Sequence, residues 1–150
     1  MYTAEDFDKE KTKVLKYILY KKRTEQEIRN KFAQSIEENL LEDIIEYLKE
    51  ANYIDDKEYI KKVVNNFMIL KNLSIRELQY KLIAKGLNKS DIEEYMYENK
   101  DELEEYEFKS ALNNFYKKSS SMEQDEIKQY LIKKGYKTEN INRAIENKDI

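Results

Sequence analysis

Glu27-Ile28-Arg29-Asn30-Lys31-Phe32 returns as Glu77-Leu78-Gln79-Tyr80-Lys81-Leu82 and again as Glu126-Ile127-Lys128-Gln129-Tyr130-Leu131. In each copy a glutamate precedes a large apolar residue, and a second large apolar residue follows four positions on, one helical turn away. Ile28, Leu78 and Ile127 are 50 and 49 residues apart. In the second and third copies the phase continues without a gap through Lys85-Gly86-Leu87 and Lys134-Gly135-Tyr136, then Ile92 and Ile141. A fixed period of this size marks a tandem repeat array of three units, so differences between units are the place to look for function.

Each unit reads as three helices. In the first, Val14, Leu15, Ile18 and Leu19 repeat at helical spacing, and Thr24-x-x-Glu27 is a capping box that opens a second helix. Leu40, Leu41, Ile44, Ile45 and Leu48 make a third apolar face, ending at Asn52, a residue tolerant of the left-handed backbone. The second unit repeats the plan with Tyr59, Ile60, Val63, Val64 and Phe67, then the Ser74-x-x-Glu77 box, then Gly86 just past a helix end, then Ser90-x-x-Glu93 opening a short helix through Ile92 and Met96. The third unit is expected to hold helices over 108–116, 123–134 and 138–146, with Ser119-Ser120-Ser121 as its loop. The predicted fold is therefore all-α: three tandem three-helix, helix-turn-helix-like repeats in an elongated, curved array. Its expected division is a leading segment at 1–8 and units at 9–54, 55–98 and 99–150.

Composition narrows the chemistry. The 150 residues contain no Cys and no His, so thiol and imidazole nucleophiles, bases and metal ligands are absent. The 31 carboxylates are scattered over helical faces, as solvated surface is. Asp55-Asp56 stands before a helix, where cap and dipole partners are expected, and no metal site is assigned. The reading is of a non-enzymatic protein without cofactor. No stretch approaches the roughly 20 apolar residues of a membrane span, and the opening residues lack the order of a signal peptide. A cytoplasmic location without a membrane partner is expected. With 0 Pro and 2 Gly, long helical patterns run uninterrupted.

Charge alternates along the chain beneath a net value of −3. Residues 9–31 carry nine Lys or Arg against three Glu, and residues 71–90 five against one. Residues 32–70 carry four against nine acidic, and residues 91–107 one against nine. A DNA-reading helix-turn-helix would place its last helix against phosphates, which demand positive charge. The third helices instead offer Glu37, Glu38, Glu42, Asp43, Glu46 and Glu50, and then Asp91, Glu93, Glu94 and Glu98. Lys137, Arg143 and Lys148 lean the other way in the third unit. Autonomous DNA reading is the weaker expectation.

Three segments carry a family resemblance: Arg23-Thr24-Glu25-Gln26-Glu27-Ile28-Arg29, Asn52-Tyr53-Ile54-Asp55-Asp56-Lys57-Glu58-Tyr59, and Leu82-Ile83-Ala84-Lys85-Gly86-Leu87. In order and approximate spacing the chain resembles the RecX family of bacterial regulatory proteins. It departs from the family pattern at Asn52 and Ser74, where glycine is usual, and both residues are physically tolerable there. The resemblance implies a protein that binds the RecA recombinase filament on single-stranded DNA and modulates, in the expected sense inhibits, its activity in repair and recombination. It implies no catalytic residue. The alternative is a helical adaptor that holds DNA through phosphates without a recombinase partner.

Comparison of the units points to the middle one. Opposite Leu78 and Leu82 its second helix presents Arg76, Tyr80 and Ile83, where the first unit has Gln26, Asn30 and Ala33 and the third Asp125, Gln129 and Ile132. Arginine, tyrosine and an exposed aliphatic residue make an interface anchor. With Lys81, Lys85 and Lys89 nearby, this face is the candidate contact with the filament or its DNA. The alternative is that Tyr80 and Ile83 pack on an adjoining repeat and the lysines are solvated. Lys21, Lys22 and Arg23 form the second basic cluster of the candidate set, at a helix end where the dipole also favours cations. Tyr17, Tyr53 and Tyr59 fall at core-phased or helix-boundary positions, away from any base-stacking role. Direct DNA contact is expected to be weak or indirect, and no uncovered apolar stripe compels a dimer, so a monomer is expected.

Overall fold

Hydroxyl and carboxamide caps set where the helices begin. The computed structural model describes residues 1–148; residues 149 and 150 of the third expected unit lie outside the described residues. Thr3, Thr24 and Ser74 each accept a hydrogen bond from the backbone three residues on, and Asp6, Glu27 and Glu77 return it. These boxes open α1 (Ala4–Tyr20), α2 (Glu25–Phe32) and α5 (Ile75–Ala84). Helix α3 (Glu38–Glu50) ends at Asn52, which takes φ 64° while Tyr53 N–H returns to the Leu48 carbonyl. Asp55 caps α4 (Asp56–Leu70) by accepting from Glu58 N–H. Helix α1 starts inside the stretch expected as a leading segment, and Tyr2 and Phe7 pack against the first core.

Two expectations need correction. Helix α6 (Lys89–Glu98) is capped by Asn88, whose side chain accepts from Ser90 N–H at 2.7 Å, so Ser90 lies in the first turn and does not cap. Asparagine is at least as good a cap as serine and stands two residues earlier. Helix α7 (Lys100–Lys118) begins well before residue 108, with only Asn99 between it and α6. Its first two turns are dominated by acids, which hid the apolar positions Leu103 and Tyr106. Helices α8 (Gln124–Lys133) and α9 (Thr138–Asn147) close the third unit, separated by Gly135 at φ 93°.

The described residues thus form three three-helix units, α1–α3, α4–α6 and α7–α9, with no strand. Their exposed area is 9984 Å², against about 8,100 Å² for a compact monomer of this mass, as an elongated array requires. The first core is built by Val14, Ile28, Ile44, Ile45 and Leu48 with their neighbours, all from residues before α4. The second and third are joined by α7. Leu103 and Tyr106 sit in the second core, while Phe108, Ala111 and Phe115 sit in the third. A nineteen-residue helix therefore serves two cores in succession. No described helix is long and apolar enough to cross a membrane.

Candidate functional site

The second helices of successive units meet by one repeated joint. Between units one and two, Thr24 Oγ1 donates to the Lys85 carbonyl at 3.3 Å, and Glu25 N–H donates to Asp56 Oδ1 at 3.0 Å. Between units two and three, Ser74 Oγ donates to the Lys134 carbonyl at 2.7 Å, and Ile75 N–H donates to Glu107 Oε2 at 2.7 Å. In both, the residue after that carbonyl is a glycine with positive φ, pressed by a side chain of the preceding unit. A Cβ on Gly86 would meet Gln26, and one on Gly135 would meet Arg76, each at 2.8 Å. The helix-opening hydroxyls thus do two jobs: they cap their own helix and bind the neighbouring unit's helix end.

The joints differ in strength. In the second, Glu107 is fully buried and also accepts from Lys137 N–H at 2.8 Å and Asn140 Nδ2 at 2.9 Å. Tyr106 donates to the Lys71 carbonyl at 2.6 Å while accepting from Leu73 N–H, and Tyr136 donates to the Asn72 carbonyl. Burial pushes the Tyr136 and Tyr106 hydroxyls up, so both stay protonated donors. The first joint has Asp56, half-buried, whose carboxyl is pushed up by burial against the Glu25 N–H bond, with Glu25 and Asp91 adding repulsion. Around it lies an open cleft of about 550 Å³ lined by Lys49, Asn52, Lys57 and Asp91 among others. Glu25 resists its own burial because Lys49 and Arg29 hold it below the usual carboxylate range.

Asp55 and Asp56 separate as cap residues of different helices, and no group of acidic side chains suited to a metal ion occurs among the described residues.

The anchor residues predicted on α5 do face outward. Tyr80 is 61% and Ile83 53% exposed, so neither packs on an adjoining repeat. Arg76 is exposed too, but the stem of its side chain lies over Gly135, which ties it to the second joint. The lysines assigned to this face do not converge on it. Lys81 Nζ stands 5.4 Å from the Phe67 ring centroid, Lys85 lies at the first joint, and Lys89 is 3.9 Å from Glu93. The second basic cluster also divides. Arg23 stacks on Tyr17 at 4.0 Å and lies 3.9 Å from Glu27, a packed residue with little reach to solvent. Lys21 and Lys22 are exposed, and Lys62 beside Lys22 holds that ammonium below the usual lysine range by hydrogen bonding and repulsion.

The third helices keep their acidic outer faces. Glu42 forms a bidentate pair with Arg29, and Glu94 pairs with Lys57. At the third helix of unit three, two of the three cations are already engaged: Lys137 with Glu104, and Arg143 with Glu105 at 2.8 Å and over the Phe108 ring at 3.9 Å. A groove-reading surface is not assembled there.

Four exposed apolar residues at the ends of α1 and α4 escaped the sequence reading. Leu19, assigned to the apolar face of α1, is 66% exposed, Tyr20 beside it 87%, and Ile69 and Leu70 at the end of α4 are 79% and 78%. The available signal was register: each pair stands five and four residues before the hydroxyl cap of its unit, Thr24 or Ser74.

No family model matches the chain. It is 32% identical over 139 residues to the regulatory protein RecX of Staphylococcus carnosus, which covers 90% of this chain and 52% of that protein. It is 28% identical over 145 residues to the regulatory protein RecX of Clostridioides difficile, covering 94% of this chain and 68% of that one. The chain thus spans about half to two thirds of the length of these relatives. In fold it is similar to the crystal structure of RecX from Lactobacillus salivarius, with TM-score 0.82 and 23% identity over 98% of this chain and 99% of that one. A second crystal structure, of a regulatory protein RecX, matches with TM-score 0.80 and 22% identity over 96% of this chain and 73% of that one. By sequence over nine-tenths of its length the chain is similar to the RecX regulatory proteins, and over nearly all of its length it shares their fold.

Proposed function

We propose that the protein acts by binding the filament that the RecA recombinase forms on single-stranded DNA, and that it restrains the filament's activity in repair and recombination. The observation that carries this reading is the match to regulatory proteins named RecX along nearly the whole array. The surface chemistry supports a protein partner over bare DNA: the third helices of units one and two are acidic outside, and Lys137 and Arg143 at the third helix of unit three are paired with Glu104 and Glu105. The exposed Arg76, Tyr80 and Ile83 on α5 are the contact residues of this reading. Lys81, Lys85, Lys89, Lys21 and Lys22 serve as flanking charge, and Arg23 serves as a packed support. An extended array touches several subunits of a filament, and linked weak contacts gain from effective concentration. The protein works as a monomer in the cytoplasm.

The test is binding of the purified protein to single-stranded DNA with and without the cognate recombinase and ATP, across a salt series, while the DNA-dependent ATPase is followed. Binding that needs the filament and lowers the ATPase is the expected result. Equal binding to bare DNA, weakening steeply with salt and leaving the ATPase unchanged, would establish the phosphate-holding adaptor instead. Arg76→Ala with Tyr80→Ala is expected to weaken filament binding at least tenfold; unchanged binding would remove α5 from the interface.

A further inference from the structure

The C-terminal ends of α1 and α4 carry the same unexplained feature. Leu19-Tyr20-Lys21 and Ile69-Leu70-Lys71 stand 50 residues apart, at the same register before Thr24 and Ser74. Two adjacent large apolar side chains at the end of a helix contribute nothing to capping, and 66–87% exposure withholds them from either core. Unit three has Lys118-Ser119-Ser120 at this place, so the pair is a property of units one and two.

The joints show how the two pairs are related in space. Hydroxyl to carbonyl, N–H to carboxylate, and side chain over glycine recur at both joints, so each unit is placed on the next by nearly the same operation. Leu19-Tyr20 and Ile69-Leu70 are therefore equivalent positions on successive units of the array. Lys21, Lys22 and Lys71 flank the pairs, and none of them is ion-paired among the described residues.

The geometry points to twin anchors: Leu19-Tyr20 and Ile69-Leu70 each insert into an apolar notch with an acidic rim on a protein partner, the two notches belonging to successive subunits of one polymer. Three of the four side chains are aliphatic and offer no ring to stack on a base, which favours protein over single-stranded nucleic acid. The free lysines require the acidic rim. Repetition of the pair on two units calls for a partner that repeats as well. This inference rests on the filament reading above and assigns it a surface distinct from α5.

Two variants test it: Leu19→Ser with Tyr20→Ser, and Ile69→Ser with Leu70→Ser, each checked for native helicity by circular dichroism. Their affinities are measured for the cognate recombinase assembled on single-stranded DNA with ATP, for the same recombinase without DNA or nucleotide, and for the DNA alone. Losing one anchor of two removes the gain from linkage, so filament affinity is expected to fall on the order of 100-fold. Affinity for the unassembled recombinase is expected to fall only about twofold, because the remaining anchor still serves. Equal losses for filament and subunit, or no loss for either, would overturn the twin anchors. A parallel loss of affinity for DNA alone would replace them with a nucleic-acid contact. A wild-type protein that ignores the filament altogether removes the filament reading itself, an outcome separate from the behaviour of the variants.

Discussion

Asp56 and Gly135 are single residues on which the two joints turn. Because burial raises the Asp56 pKa in the folded protein, its stability contribution is fully present below the unfolded value, about 3.9, and is lost as pH rises through the folded value. Asn at this position keeps an oxygen to accept from Glu25 N–H without the charge. Asp56→Asn is therefore expected to raise stability at pH 7 and to leave it unchanged near pH 3.5, read from urea unfolding midpoints of both proteins at both pH values. Gly135→Ala meets a backbone of φ 93° and the Arg76 stem together. A cost of about 1–2 kcal/mol from the backbone alone is expected, with more from the clash. The clash component disappears in an Arg76→Ala background, so a double-mutant cycle is expected to show coupling of about 0.5 kcal/mol or more. The sequence marked Gly86 as a helix stop on local grounds. That Gln26 would lie over it was invisible, because the contact joins residues 60 positions apart.

Among the elements α7 has the largest share of duties. Glu107 offers its two oxygens to three donors in a site closed to water. Glu107→Ala is expected to cost about 3 kcal/mol or more, because those donors lose their partner where water does not replace it. Glu107→Gln keeps one acceptor oxygen and is expected to lose less, by about half, in the same chemical unfolding experiment. The capping boxes of α2 and α5 were readable in advance because a cap is a contact across three residues. The cap of α6 was misplaced by two residues because Asn88 and Ser90 are both good caps, and only the chain path chooses between them. The early start of α7 was missed for a related reason: Glu104, Glu105 and Glu107 read as surface, yet Glu107 is buried and bonded both to α5 of unit two and to Lys137 and Asn140 of its own unit.

The whole molecule divides unequally. No residue of α4–α9 enters the first core, whereas α7 supplies residues to both the second and the third. Units two and three are expected to open as one body, and unit one separately at lower free energy. Native-state hydrogen exchange is expected to show α1–α3 exchanging through their own opening, with α4–α9 sharing a slower one. Leu103→Ala, which empties a site 1% exposed, is expected to cost about 2–5 kcal/mol and to speed exchange in α4–α9 while leaving α1–α3 unchanged. A single opening common to all nine described helices would refute this division.

Sequence alone determined the repeat and the three-helix plan of each unit, because helical period, caps and unit-to-unit substitution are all written within a few residues or at a fixed offset. It left the facing of Tyr80 and Ile83 open, and the structure turns both outward. Tertiary structure decided the rest. It committed Arg23 to Tyr17, pulled the basic clusters apart, buried Glu107 and left Leu19 in solvent. Each of these depends on which units touch and how closely, and contacts between residues 30 to 60 positions apart leave no periodic trace along the chain.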